Sequence, residues 1–277
     1  MPMEKNLIKV AICYDFDGTL APGNMQEYGF MKALGTTPQI FWTKSDKIAY
    51  EHNADKNLSY MLTMLKDAKE KGISITKEKL ETFGCDIPLF DGVNDWFSRI
   101  NKFALDNGIE LQHYLLSSGL KEIVNGLPIS NEFTKVYACS FMYDENKEAF
   151  WPAQVVNYTT KTQYLFRISK GCLEENDASV NDRTPKEQRS IPFSQMLYIG
   201  DGLTDVPCMA TLRRFGGKAL AVFRPELDNS IKSATRLLED GRVDHIAPAD
   251  YKLGSRIDYL IKAWLKKIKA DNDLMNC

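Results

Sequence analysis

Short apolar runs and amphipathic stretches alternate along most of this chain, and the alternation breaks once. Residues 10–14, 111–116, 136–142, 195–199 and 218–223 are rich in Val, Ile, Leu and aromatic side chains and are closed by glycine or polar residues. Runs this short and this apolar predict strands buried on both faces. Residues 93–107, closed by Gly108, and residues 161–169, 206–214, 231–238 and 257–269 carry apolar positions at helical spacing, and a further helix opens at residues 120–124. Residues 143–156 suit a hairpin turning at Glu145-Asn146, residues 244–247 a short edge strand, and residues 174–190 a polar loop. Strands alternating with helices predict an α/β fold: a doubly wound, Rossmann-like parallel sheet with right-handed crossovers and helices on both faces.

The break falls at residues 21–88, where only helical patterns are found. Residues 25–34 form one candidate helix. Residues 38–50 form another, with Ile40, Phe41, Ile48 and Ala49 on its apolar face. Residues 58–71 repeat Leu58, Met61, Leu62 and Leu65 at helical spacing and stop at Gly72, and Thr76 offers an N-cap for a short helix. A helical block with no strands of its own predicts an all-α cap inserted into an α/β core made of residues 1–20 and 89–277. An interaction domain is the other reading of the block.

Three of the predicted strands run into polar clusters. The first ends in Asp15-Phe16-Asp17-Gly18-Thr19, the second in Ser117-Ser118-Gly119, and the fourth in Gly200-Asp201-Gly202-Leu203-Thr204-Asp205. Two like charges about 4 Å apart repel by roughly 4 kcal/mol at an effective dielectric of 20, so Asp15 and Asp17 make sense with a cation between them. Open α/β sheets bind ligands at the carboxyl ends of their strands. If these strands are parallel neighbours, Asp15, Asp17, Asp201 and Asp205 converge there without His or Cys among them. Hard oxygen donors of that kind select Mg²⁺, which commonly joins one or two carboxylates to a substrate phosphate. The Ser117 hydroxyl and the backbone N–H groups around Ser118 and Gly119 suit phosphate oxygens. Lys161, at a helix start, is a natural counter-charge, with Lys147 and Lys170 flanking the same region.

Composition narrows the classes. The chain has 277 residues, is 44% hydrophobic and 26% charged, and carries a net charge of -2, which gives no footprint for a nucleic-acid binder. Its six cysteines are scattered without a C-x-x-C pair, which fits reduced thiols and a cytoplasmic protein. The first residues lack the apolar core of a signal peptide, and no apolar stretch approaches the ~20 residues of a membrane span. No nucleic-acid and no membrane partner is expected, and the oligomeric state is left open.

Taken together and in order, Asp15-Phe16-Asp17-Gly18-Thr19, Ser117, Lys161 and the segment from Gly200 to Asp205 resemble the four motifs of the haloacid dehalogenase superfamily. The helical insert and the short Ser-x-Gly form of the second motif are similar to its phosphoserine-phosphatase-like branch. Gly18 stands where phosphoserine phosphatases usually carry Ser.

The resemblance implies a phosphoric monoester hydrolase acting on a small phosphorylated metabolite through an aspartyl-phosphate. Asp15 is the implied nucleophile and Asp17 the acid/base, oriented by Thr19. Ser117, Ser118, Gly119 and Lys161 are the implied phosphoryl holders. Mg²⁺ is expected on Asp15, the backbone carbonyl of Asp17 and Asp201, with Asp205 as a further ligand or partner. A phosphomutase or other phosphotransferase of the superfamily, and a catalytically silent binding protein, are the rival readings.

Specificity is expected to come from the cap. Asn24, Tyr28, Trp42 and His52 are candidates by position, with packing or surface roles as the alternative. His113 and His245 are expected to be structural. Residues 171–192 read as a gating loop or as surface, and residues 262–269 with Trp264 as a solvated face over the sheet.

Overall fold

The computed structural model describes residues 7–275. The signal-peptide reading of the first residues and the thiol of Cys277 lie outside the described residues.

β1 (Ile8–Tyr14) leads into a block of helices: α1 (Phe30–Leu34), α2 (Pro38–His52), α3 (Lys56–Glu70) and α4 (Lys77–Thr82). Next come α5 (Val93–Asp106), β2 (Ile109–Leu120), α6 (Lys121–Asn125), β3 (Lys135–Tyr143), β4 (Ala149–Gln154) and α7 (Tyr158–Lys170). The chain finishes with β5 (Met196–Gly200), α8 (Val206–Arg214), β6 (Lys218–Phe223), α9 (Asp228–Glu239), β7 (His245–Pro248) and α10 (Arg256–Met275). The strands form one sheet in the order β4-β3-β2-β1-β5-β6-β7. All neighbours are parallel except β3 and β4, the expected hairpin.

β1 lies between β2 and β5, so the three strands with polar ends are adjacent and point the same way. Val10 to Tyr14 are fully buried, as a central parallel strand with both faces covered requires. The buried polar groups beneath the site pair with one another. Trp96 Nε1 donates to the Tyr14 hydroxyl at 3.0 Å, which donates in turn to His113 Nδ1 at 3.0 Å, while His113 Nε2 meets Asn101 Oδ1 at 2.9 Å. His113 is therefore structural, as expected, whereas His245 is exposed on the edge strand β7.

The helical block follows local rules at its ends. Thr37 Oγ1 accepts from Ile40 N, Asp55 caps α3 through Asn57 N and Leu58 N, and Thr76 Oγ1 accepts from Lys79 N. Its packing departs from the apolar periodicity in three places. The expected helix over residues 25–34 is split into a 3₁₀ turn, Met25–Glu27, whose Met25 N–H donates to Asp17, and α1, which follows Gly29, a residue packed tightly on Phe83. In α3 the buried face is Asn57, Ser59, Tyr60, Met61, Thr63, Met64 and Ala68, while Leu58 and Leu62 are exposed. In α2 the buried residues are Phe41, Ser45 and Ala49, and Ile40 faces solvent.

Residues 171–192 carry short 3₁₀ turns and are pinned by α7: Arg167 donates to the carbonyls of Glu174, Glu175 and Asp177, and Lys170 to those of Val180 and Asp182. In α10, Trp264 lies on the buried face with Ile261, Leu265 and Ile268.

Candidate active site

The site starts where β1 ends. Asp15 N donates to Ile199 O at 2.9 Å, continuing the pairing with β5 by one residue. The chain then folds tightly, with Thr19, Leu20 and Ala21 all donating N–H groups to Phe16 O. Gly18 turns this loop at φ +78°, and a Cβ there would lie 2.1 Å from Asp201 Oδ2. Glycine is thus demanded twice: by a left-handed backbone and by the approach of the first acidic loop to the end of β5. Asp17 Oδ1 accepts from Met25 N at 2.8 Å. Thr19 does not orient Asp17: its hydroxyl is buried without a partner, and its carbonyl accepts from the Tyr251 hydroxyl at 2.9 Å. The Met25 N–H supplies the hold that was expected of Thr19.

β2 brings Ser117 beside β1. Its Oγ accepts from Gly119 N at 3.0 Å, and the Ser118 hydroxyl is buried with no partner. Gly119 packs against Met25, whose Cε would sit 2.2 Å from a Cβ there. The turn that holds Asp17 and the end of β2 therefore fit together through one methionine.

Lys161 comes from the first turn of α7, which opens with Thr160 Oγ1 accepting from Asn157 N at 2.6 Å. Its side chain is fully buried, and Nζ lies 2.8 Å from both Asp15 Oδ1 and Asp205 Oδ1. Lys147 sits in the hairpin turn at φ +63° and Lys170 binds loop carbonyls, so Lys161 alone of the three reaches Asp15. Asp205, also fully buried, accepts from the Tyr198 hydroxyl at 2.8 Å and through Oδ2 from Gly202 N at 3.2 Å.

Ligand atoms of Asp15, Asp201 and Asp205 all fall within 4.8 Å of one another. Asp17 contributes no carboxylate to that group. Burial and then Asp205 push the Asp15 carboxyl up to about 7, against the lowering pull of Lys161. Asp17 is raised well above the usual range by burial and by Asp15, and Asp201 by burial, Asp15 and Asp205. Burial opposes the charge on Lys161, but Asp15 and Asp205 outweigh it and raise its pKa above the ordinary lysine value. One ammonium among this many desolvated carboxylates leaves excess negative charge. The all-oxygen donor set fits a hard divalent cation, which removes that excess.

A cavity of about 290 Å³ opens from Asp17 and Ser118 toward the helical block, walled by Asn24, Gln26, Trp42, Lys56, Asn57 and Tyr60 among others. Of the four expected specificity residues, Asn24 and Trp42 line it. The Tyr28 hydroxyl is bonded to Pro22 O and His52 is exposed at the end of α2. Sequence reasoning missed Tyr60 and Asn57. The Tyr60 hydroxyl donates to Ser118 O at 2.8 Å, and Asn57 Nδ2 donates to Val156 O at 2.7 Å, just ahead of α7. The available signal was polar residues three apart on a helix whose Leu58 and Leu62 face outward. Tyr198, which braces Asp205, was hidden inside an apolar strand.

No helix among the described residues is long and apolar enough to cross a membrane. Among known proteins, an uncharacterized protein of Borreliella burgdorferi is 29% identical over 277 residues, covering 90% of this chain and 93% of that one. A HAD-family hydrolase of Salmonella enterica serovar Typhi superposes with a TM-score of 0.60 at 16% identity, over 93% of this chain and 72% of that one. A phosphoserine phosphatase, solved as a phospho-aspartyl intermediate analogue, superposes with a TM-score of 0.54 at 16% identity, over 92% of this chain and 99% of that one. The family model for haloacid dehalogenase-like hydrolases matches residues 12–210, from β1 through Asp15, Ser117 and Lys161 into α8. This chain belongs to the haloacid dehalogenase-like hydrolase family.

Proposed function

We propose that this protein is a Mg²⁺-dependent phosphatase that hydrolyses a small phosphomonoester through a phosphorylated Asp15. The observation that carries the reading is the placement of Lys161 Nζ at 2.8 Å from Asp15 within a buried group of carboxylates beside Asp17. Asp15 attacks phosphorus, and the bond to the alcohol oxygen breaks. Asp17, whose carboxyl is pushed well above the usual range by burial and by Asp15, gives its proton to the departing oxygen. It then takes a proton from water, which attacks the acyl phosphate, frees inorganic phosphate and restores Asp15.

Lys161 holds phosphoryl oxygens and offsets their charge, with Ser117 and the N–H groups of Ser118 and Gly119. Asp15, Asp201 and the carbonyl of Asp17 would hold Mg²⁺, backed by Asp205, and the ion would supply charge neutralisation at the phosphoryl group. Residues 21–88 serve as the cap, shielding the acyl phosphate and reading the leaving group. Tyr60 ties α3 to Ser118, and Asp55 Oδ2 accepts from Asn157 Nδ2 at 2.9 Å, so cap and core meet beside the reacting groups.

Phosphate release from p-nitrophenyl phosphate, without a bisphosphate activator, tests the proposal. EDTA should stop the reaction and Mg²⁺ restore it, and Asp15→Asn should abolish turnover. Chelator-resistant activity contradicts the metal, and an active Asp15→Asn contradicts the nucleophile.

A further inference from the structure

The cavity beside Asp17 has a wall residue with no structural employment. Gln26 sits in the middle of the 3₁₀ turn Met25–Glu27, is 2% exposed, and its amide oxygen has no hydrogen-bond partner. Buried polar groups are nearly always paired, so a lone acceptor on a cavity wall calls for an explanation, and a bound ligand supplies one. The Ser118 hydroxyl, on the same cavity, is likewise buried and unpaired. The neighbouring residue, Met25, donates its N–H to Asp17, so Gln26 stands one residue from the contact that fixes the proposed acid.

The remaining wall is neutral where it is buried. Ser45, Asn57 and Tyr60 are buried, and Trp42 is held by its Nε1 donating to Glu27 Oε1 at 2.8 Å. Asn24 donates to the same carboxylate oxygen at 2.6 Å. Apart from Asp17, the charges on the wall are Lys56 and Asp46, which pair with each other at 3.0 Å and are both more than half exposed. A second phosphate or a free carboxylate on the leaving group meets no unpaired cation on this wall. Hydroxyl groups meet amides, hydroxyls and the side chains of Trp42 and Tyr60.

We propose that Gln26 is a specificity-determining residue whose amide hydrogen-bonds a hydroxyl of the leaving group. The preferred substrates are then neutral polyhydroxylated monophosphates, of polyols or sugars, rather than bisphosphates or amino-acid phosphates. This rests on the phosphatase reading above and deepens it.

The test compares kcat/KM for a set of polyol and sugar monophosphates, their singly deoxygenated analogues, phosphoserine and a sugar bisphosphate. The wild type favours a polyol or sugar monophosphate, and loss of one particular hydroxyl lowers kcat/KM by about 10- to 100-fold, because the buried amide is left unpaired. In Gln26→Leu the ratio between that substrate and its deoxy analogue collapses to about one, by the same reasoning. Gln26→Glu keeps an acceptor and keeps a preference for the hydroxylated partner. A ratio taken within one variant cancels any general loss of folding or catalysis. An unchanged ratio in Gln26→Leu overturns the assignment. So does a wild type that prefers phosphoserine or the bisphosphate, which needs no variant to fold. No turnover of any phosphomonoester, p-nitrophenyl phosphate included, instead sinks the phosphatase reading beneath it.

Discussion

Replacing Lys161 by methionine removes the ammonium that Asp15 and Asp205 share. Both contacts measure 2.8 Å and all three side chains are buried. At that distance and an effective dielectric of 20, each contact is worth about 6 kcal/mol before desolvation is counted. Desolvation of the lysine offsets much of this, and removing one partner of a buried pair costs about 3–5 kcal/mol in practice. At about 2–4 °C per kcal/mol for a large domain, Lys161→Met should melt roughly 6–20 °C below the wild type in EDTA.

The loss should also depend on pH, and the sign follows from the carboxylates. Without the ammonium, Asp15, Asp201 and Asp205 repel one another unrelieved, and the folded pKa values of Asp15 and Asp201 lie above their unfolded ones. The unfolded chain then gives up its protons first, so the penalty on folding grows as pH rises above about 4. The Tm deficit is therefore larger at pH 8 than at pH 5. Turnover should fall by about 100- to 1,000-fold, the usual cost of losing one group that stabilises developing charge. Thermal melts at both pH values and phosphate release at saturating Mg²⁺ measure the two effects. A Tm within about 2 °C of the wild type at both pH values would refute the claim that Lys161 balances the buried carboxylates.

Two further outcomes are expected. Gly18→Ala should lose most activity and about 1–2 kcal/mol of stability from its left-handed backbone alone, since its methyl also drives into Asp201; urea melts and turnover check it, and a fully active variant would refute the close approach. Burial lowers the pKa of His113 from 6.5 to about 3, so the unfolded chain alone takes up this proton between those values, and stability falls as pH drops below 6.5. An imidazole resonance of His113 that titrates near pH 6 in the folded protein would contradict that.

What could be read from the residues alone was whatever is local or periodic. Strand runs such as residues 10–14 and 218–223 are short, apolar and bounded by turn residues, the signature of buried strands. The caps Thr37, Asp55 and Thr76 act within three residues of themselves. Acidic pairs at strand ends imply convergence as soon as the strands are parallel, and β2-β1-β5 are adjacent in that sense. Lys161 was legible as a lysine opening a helix and preferable on that ground to Lys147 and Lys170, but its contact with Asp15 at 2.8 Å is set by the tertiary structure.

Tertiary structure alone decided which face of a helix is inward and which hydrogen bonds cross between distant segments. In α3 the predicted apolar stripe is only partly inward: Met61 is buried but Leu58 and Leu62 are exposed, and Asn57 and Tyr60 turn inward, where they donate to Val156 O and Ser118 O. The hold on Asp17 passed from Thr19 to Met25 for the same reason: a carboxylate takes the N–H that geometry brings to it. Periodicity records how much apolar surface a segment can bury. It carries no record of the polar groups on other segments that must be satisfied when the chain closes, and those groups chose the walls of this site.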